Sequence, residues 1–403
     1  MGWGAHDPGT PLRGNPPGLV DEARQRFGAY SAEQWIYGYT WPSADRTRQM
    51  GDALVDATLL RARLARWMLT ERLPEWALGV VVVSELHSGV EALWHGVDEA
   101  HPLHDLPSAA PAREGLEGIY EAVDSLVDTL TTSLPDTSVL VFSMHGMGPN
   151  ESDASSMVLL PELLYRRHAG EPFLHPEGSS TPPEGAWSQH LRTLFRGPAP
   201  RRRAVRKLVR RLAGRRRAGE VLERDPIRWM PASWYAKHWR HMEAFALPSY
   251  YDGRIRINLE GREAEGRVGL AAYPETCKRI EEDLLACRNP RTGRGVVREI
   301  HRSHRADPRD LGPSEADLVV VWEDESLAFE HPLYGTIGPV PARRTGGHTG
   351  GPGVALFAGA DLRPGSYGTR SAFDIVPTVI EYVTGARDPG SSGESFLSEI
   401  AGP

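Results

Sequence analysis

Long apolar runs and cysteines are both scarce in this sequence. No run of about 18 consecutive apolar residues occurs, so no membrane-spanning helix is predicted. The two cysteines, Cys277 and Cys287, exclude a disulfide framework and a thiolate metal motif. The first residues contain neither a basic region nor an apolar segment, so no secretory signal is predicted. We therefore expect a cytoplasmic protein in a reducing environment.

Positive charge is concentrated in one segment. The net charge is −7, yet residues 196–217 hold eleven Lys or Arg residues and no acid, so the rest of the chain is acidic. Apolar residues recur on one face of this segment, which predicts a basic amphipathic helix. Such a helix can bind an anionic ligand, such as a membrane surface or nucleic acid phosphates. It can equally be a solvated helix or part of a lid.

Hydrophobic periodicity predicts alternating helices and strands. Helical spacing predicts helices near Leu19–Phe27 and over Gly51–Leu69, Gly115–Leu130, Pro274–Ala286 and Asp374–Tyr382. Apolar runs predict buried strands at Ala77–Val83, Ser138–Phe142, Ala316–Trp322 and Val354–Ala358, and period-two alternation predicts a half-exposed strand at Arg254–Leu259. This order predicts an α/β fold with a mostly parallel central sheet flanked by helices.

The middle of the chain breaks this alternation. Residues 149–248 contain several Trp, many Pro and the basic segment, which indicates an inserted lid or cap. Residues 1–148 and 249–403 are then predicted to form the N-terminal and C-terminal parts of one core.

Polar residues follow several of the predicted strands. His87 and Glu91 come after Ala77–Val83 at helical i, i+4 spacing, His145 comes after Ser138–Phe142, and His348 lies in a glycine-rich loop. Imidazole and carboxylate are ordinary ligands of zinc and related divalent ions. The residues alone leave two interpretations open, a metal site or separate capping and solvated side chains.

Several segments resemble the alkaline phosphatase superfamily, in its branch of type I phosphodiesterases and nucleotide pyrophosphatases. They are His-Ser-Gly-Val-Glu-Ala-Leu-Trp at 87–94, Ser-Met-His-Gly-Met at 143–147, the strand and turn at 256–266, the strand at 316–322, the His348 loop, and Asp-Ile-Val-Pro-Thr at 374–378. They follow one another in the family's order from about residue 75 to the C-terminus, with the insertion left out.

The resemblance implies an alkaline phosphatase-like sheet and two divalent ions, usually zinc, that act on a phosphoryl group. Position by position, His87 stands for a family Asp and Glu91 for a family His, while His145 and His348 match. Met144 stands where the family has a metal-binding Asp. Because a thioether is a poor ligand for a hard divalent ion, the second ion's site, served by His145, is weakened.

The family's first strand and its Thr or Ser nucleophile would precede the segments described above. No nucleophile is identified in this sequence, so the resemblance implies either that these parts lie upstream of residue 1 or that the chain is a degenerate member. Beyond the ligands, Glu85 and His95 flank the first pair and are expected to orient it. Arg343 and Arg344 precede His348 and are placed either to meet an anionic substrate or to lie on the surface.

The expected function is therefore metal-dependent hydrolysis of small-molecule phosphate esters, of the phosphodiester or pyrophosphate type. One alternative is a catalytically degenerate family member that binds an anionic ligand or a partner. Another is a sulfatase-like ester hydrolase.

Overall fold

The computed structural model of the chain describes residues 12–35, 39–175, 181–185, 187–195 and 229–402. The chain divides into two compact units, the first formed by Met1–Pro149 with Arg344–Pro403 and the second by Asn150–Arg343. The basic helix predicted within residues 196–217 lies outside the described residues.

The α-helices follow one another along both units. Within the described residues they are α1 (Leu19–Phe27), α2 (Ala44–Trp67), α3 (Glu85–Leu93), α4 (Ala109–Ser133), α5 (Leu160–Ala169), α6 (Trp187–Leu194), α7 (Ala236–Trp239), α8 (Tyr273–Ala286), α9 (Ile375–Thr384) and α10 (Leu397–Ile400). A π-helical turn at Met68–Arg72 extends α2, and another at Ser155–Leu159 leads into α5.

The strands are short and pair only with antiparallel neighbours. Within the described residues they are β1 (Val139–Phe142), β2 (Gly148–Pro149), β3 (Ala244–Leu247), β4 (Gly253–Ile257), β5 (Val297–Arg302), β6 (Leu318–Trp322), β7 (Phe329–His331), β8 (Gly335–Ile337), β9 (Gly346–Gly347) and β10 (Ala355–Ala358). The first unit contains the pairs β1–β10 and β2–β9, and the second contains the sheet β3-β4-β6-β5 and the hairpin β7–β8.

The core of the first unit is helical. Helix α2 begins after Ser43, whose side chain accepts a hydrogen bond from the backbone N–H of Arg46. Its apolar stripe packs against α3 and α4, and Leu54, Leu93 and Ile119 are fully buried there. Each such side chain contributes about 1.5–3 kcal/mol on burial. This packing fixes α3, which carries His87 and Glu91.

A buried carboxylate organises the sheet of the second unit. Asp317 accepts hydrogen bonds from the backbone N–H of Ile257 at 2.7 Å, from the hydroxyl of Tyr273 at 2.8 Å, and from two guanidinium nitrogens of Arg262. These bonds join β4, the residue before β6 and the start of α8. Because every partner is a donor, the charge of Asp317 is compensated inside the unit.

The predicted mostly parallel central sheet is wrong. Every pair of named strands that the structure describes is antiparallel, and each sheet has two to four strands. The loop of residues 248–252 between β3 and β4 is too short for a parallel crossover, which requires a dozen or more residues.

The predicted buried strand Ala77–Val83 is also wrong. This segment forms no strand, and the exposed fractions of Leu78, Val80 and Val82 are 54%, 73% and 69%. An apolar run indicates that a segment can form a strand, but a strand also requires a neighbour with which to share backbone hydrogen bonds.

The other strand and helix predictions that fall in the described residues agree in position with an observed element of the same type. The predicted burial is wrong for three strands: β1 and β10 are half-buried to exposed instead of buried, and β4 is mostly buried instead of half exposed. The two cysteines are free and buried, and burial raises the pKa of Cys277 to about 11 and that of Cys287 to about 12. No helix in the described parts of the chain is both long and apolar enough to cross a membrane.

Candidate metal site

Helix α3 places His87 and Glu91 on the same face of the first unit. The residues are one turn apart, and the His87 Nε2 lies 3.9 Å from the Glu91 Oε1. The Glu91 side chain is buried, whereas the exposed fraction of the His87 side chain is 28%. The pair therefore reaches from the interior to the surface.

Two strand pairs bring the loops of His145 and His348 to this helix. His145 lies between β1 and β2, and His348 lies between β9 and β10, so the pairs β1–β10 and β2–β9 bracket both histidines. The backbone N–H of Thr345 donates to the carbonyl oxygen of Glu91 at 2.7 Å and ties the start of β9 to the end of α3.

The four predicted metal-site residues lie together. His87 Nε2 is 3.0 Å from His348 Nε2, and His348 Nδ1 is 3.1 Å from His145 Nε2. One ligand atom from each of His87, Glu91 and His348 lies within 4.8 Å of the other two. His145 contacts His348 but lies outside that group of three, and the metal-binding roles stay predictions.

Arg344 faces the candidate ligands rather than solvent. Its guanidinium donates to the Glu91 Oε1, and both side chains are almost completely buried. Arg343 is equally buried and pairs in the second unit with Asp153 at 3.2 Å. Neither arginine is a surface residue, and Arg344 balances the charge of the only carboxylate in the three-residue cluster.

Glu85 is turned to a different partner. Its carboxylate is fully buried and accepts hydrogen bonds from Arg61 at 2.6–3.1 Å and from the Tyr30 hydroxyl at 2.9 Å. Burial, followed by the charge and hydrogen bond of Glu85, raises the pKa of Tyr30. Glu85 therefore anchors the first turn of α3, the helix that carries His87.

His95 supports the loop of His348 from inside the unit. Its Nδ1 lies 3.4 Å from the Thr345 hydroxyl, and its Nε2 lies 3.1 Å from the Ser108 hydroxyl. Burial, reinforced by His101 and His104, lowers the pKa of His95 to about 3, so the ring is neutral near pH 7. His95 thus bonds to the residue that ties β9 to Glu91.

The donor set fits one divalent ion. Two imidazoles and a carboxylate form a common set for catalytic zinc and leave a fourth position for substrate. Ligand atoms around a tetrahedral zinc ion are separated by about 3.3 Å, from bond lengths of about 2.0–2.1 Å. The separations of 3.0 Å and 3.9 Å at His87 bracket this value. Met144, by contrast, is 58% exposed and offers only a thioether.

We expect Gly346→Ala to damage this site. A Cβ at Gly346 would lie 2.1 Å from the carbonyl oxygen of Val90, so an added methyl group must push β9 away from α3. The free energy of unfolding should fall by about 1–3 kcal/mol, and metal affinity should fall with it. Denaturant unfolding and metal titration measure the two effects.

Gly351→Ala is the matched control in the same loop, because a Cβ there meets nothing within 4 Å. It should change stability by no more than about 0.5 kcal/mol. Equal effects of the two substitutions would show that close approach to α3 does not explain the glycine at 346.

Sequence reasoning missed the roles of Arg344 and Thr345. A signal for the first was present: Glu91 lies within Gly-Val-Glu-Ala-Leu, and a carboxylate buried among apolar neighbours requires a cation. Thr345 had no such signal, because its contribution is a backbone hydrogen bond.

Comparison with family models, with curated proteins and with solved structures finds no match to this chain.

Proposed function

We propose that this chain is a metal-dependent hydrolase of phosphate esters, of the phosphodiester or pyrophosphate type, that uses one divalent ion, zinc by its ligand set. The proposal rests on one observation, the meeting of His87, Glu91 and His348 within 4.8 Å from segments far apart in the sequence. The order of motifs shared with the alkaline phosphatase superfamily supports the choice of phosphate esters. The antiparallel sheets give that relationship no support.

The charges at the site favour an anionic substrate. Glu91 contributes one negative charge and Arg344 one positive charge, so these two side chains cancel. A bound divalent ion would therefore leave the cluster with a net positive charge, which attracts phosphate esters and repels cations.

Each side chain has a distinct task in this proposal. His87 and His348 supply neutral nitrogen ligands at the solvent-facing side, and Glu91 supplies a carboxylate oxygen from the interior. Arg344 holds that carboxylate in place, because a guanidinium and a carboxylate form a directional charge-assisted bond. A divalent ion bound there supplies Lewis-acid polarisation of a phosphoryl oxygen. No nucleophile is assigned.

Two observations favour a second candidate, a catalytically degenerate chain that binds an anionic ligand or partner. The Arg344 guanidinium pairs with the Glu91 Oε1, and exposed Met144 stands where the family that the sequence resembles has a carboxylate. In that case the guanidinium provides structurally the positive charge that an ion would otherwise supply.

Metal analysis and an ester panel test the proposal on the complete chain. Purified protein should contain close to one equivalent of a divalent ion. It should hydrolyse bis-(p-nitrophenyl) phosphate or a nucleotide pyrophosphate faster than p-nitrophenyl sulfate. His348→Ala should lose both the ion and the hydrolysis, because it removes one of three ligands.

His304→Ala is the control, since His304 is an exposed imidazole in the second unit. It should match the unsubstituted chain in metal content and hydrolysis. A chain that binds no ion and hydrolyses no ester would exclude the proposal and favour the degenerate alternative. Preference for the sulfate ester would favour a sulfatase-like activity.

A further inference from the structure

Three imidazoles and one carbonyl group form a continuous hydrogen-bonded series at the candidate site. His145 Nδ1 lies 2.9 Å from the carbonyl oxygen of Gly146, and His145 Nε2 lies 3.1 Å from His348 Nδ1. His348 Nε2 in turn lies 3.0 Å from His87 Nε2. Each separation is that of a hydrogen bond, so which nitrogen of one ring carries a proton determines which nitrogen of the next ring does.

The carbonyl group of Gly146 sets the donor-to-acceptor direction of every hydrogen bond in this series. A carbonyl oxygen only accepts, so His145 Nδ1 must carry a proton. A neutral imidazole carries one N–H, so His145 Nε2 accepts, and the proton shared with His348 belongs to His348 Nδ1. His348 Nε2 is then unprotonated and directs its lone pair toward His87.

This lone pair lies on the side of His348 that faces the candidate ligand group of His87, Glu91 and His348. His348 Nε2 is the nitrogen adjacent to His87 Nε2, and the two residues with Glu91 make up the ligand group of the described chain. Histidine ligands commonly donate their second N–H to a neighbouring acceptor, which fixes both the tautomer and the ring orientation. His145 provides that acceptor, and the Gly146 carbonyl fixes His145 in turn.

We propose that the site holds a single ion and that His145 is a positioning residue, which orients His348 through its Nδ1 rather than binding an ion itself. This inference rests on the proposed metal binding. It differs from the expectation that His145 serves a second ion. A second ion at His145 Nε2 would have to displace the His348 N–H, and the preceding residue in the sequence, Met144, is exposed and offers only a thioether.

Cobalt(II) titration of the metal-free chain distinguishes a positioning residue from a ligand. The unsubstituted chain and His145→Ala should both bind one Co²⁺, with tenfold to hundredfold weaker affinity in the variant. His145→Gln offers an amide oxygen to the His348 N–H and should recover part of that loss. His348→Ala should lose the visible absorption band of bound Co²⁺, whereas His145→Ala should keep it.

Three other results of the cobalt titration would each contradict a specific part of the proposal. Two ions in the unsubstituted chain, with one in His145→Ala, would make His145 a ligand; the proposed metal-dependent hydrolysis would stand, but with two ions instead of one. Unchanged affinity in His145→Ala would exclude the positioning role. No bound ion in any chain would overturn the proposed function and this inference together.

A nitrogen-15 NMR measurement on the metal-free protein tests the hydrogen-bonded series in the absence of an ion. Imidazole shifts, assigned through single His→Gln variants, should show His145 and His348 protonated at Nδ1 and unprotonated at Nε2. A His348 ring protonated at Nε2 would overturn the inference even if the chain binds one ion.

Discussion

Replacing Glu85 by alanine is expected to lower the free energy of unfolding of the first unit by about 3–5 kcal/mol. The substitution leaves the Arg61 guanidinium, which is largely buried, without the carboxylate that accepts its bonds at 2.6–3.1 Å. Burial alone would lower the pKa of Arg61, but the hydrogen bond and charge of Glu85 outweigh it, so the pKa is raised. Removing Glu85 therefore leaves burial uncompensated. Urea denaturation measures the loss.

Two controls separate a buried charge from an ordinary surface pair. Arg26 and Glu71 are about half exposed, so Glu71→Ala should lower stability by less than about 1 kcal/mol. The double variant Arg61→Met/Glu85→Leu removes both charges and should recover most of the loss. If Glu85→Ala lowers stability no more than Glu71→Ala, the buried pair does not hold α3 in place.

The Glu85 pair matters to the site because of its position on α3. Glu85 lies in the first turn of that helix, two residues before His87 and six before Glu91. Arg61 lies on α2, so the ion pair joins α2 to the helix that carries two candidate ligands. That Glu85 orients the ligands stays a prediction, and the contacts of Glu85 with Arg61 and Tyr30 would exert this effect through the backbone of α3.

Helices were the predictable part of this fold. The predicted helix at Leu19–Phe27 coincides with α1, and Gly51–Leu69 and Gly115–Leu130 fall largely within α2 and α4. A helix satisfies its own backbone hydrogen bonds within four residues, so its signal lies in the local sequence. The ends were less predictable, since α2 begins at Ala44, after the cap supplied by Ser43.

The sheets were less predictable because strand partners lie far apart in the sequence. Ser138–Phe142 and Val354–Ala358 are each predicted to be strands, but no local pattern in the sequence shows that they pair with one another, or in which direction. One signal favoured antiparallel pairing: the alternation in Arg254–Leu259 is typical of a sheet with one solvated face. The continuous apolar run at Ala77–Val83 is typical of a buried parallel strand and is misleading, because this segment forms no strand.

That the candidate residues lie close together could be predicted from the sequence, whereas the order of their contacts could not. His87 and Glu91 share a helix face by spacing, and the glycine-rich loop marks a backbone that must approach another closely, as Gly346 approaches Val90. The sequence does not contain the order in which His87, His348 and His145 contact one another. That order decides which nitrogen faces the ligand group.

Acid is expected to weaken the first unit through His95. The pKa of this buried imidazole is lowered from 6.5 to about 3, first by burial and then by His101 and His104. In the unfolded chain the ring takes up a proton as the pH falls through about 6.5, whereas the folded chain resists until about pH 3. The free energy of unfolding therefore decreases as the pH is lowered from about 6.5 to about 3, by at most about 1.4 kcal/mol per pH unit.

His95→Gln isolates this contribution, because glutamine offers hydrogen bonds to Ser108 without titrating. Other groups titrate in both chains, so their effects cancel in the difference between the two unfolding free energies. Between pH 7 and pH 4.5 the unsubstituted chain should lose on the order of 2 kcal/mol more than the variant. His304→Gln, which removes an exposed imidazole, controls for the loss of any histidine. Parallel curves for the unsubstituted chain and His95→Gln would show that His95 is not held neutral.

Because His95 bonds to Thr345, which ties β9 to Glu91, the same acid range should also loosen the loop that carries His348.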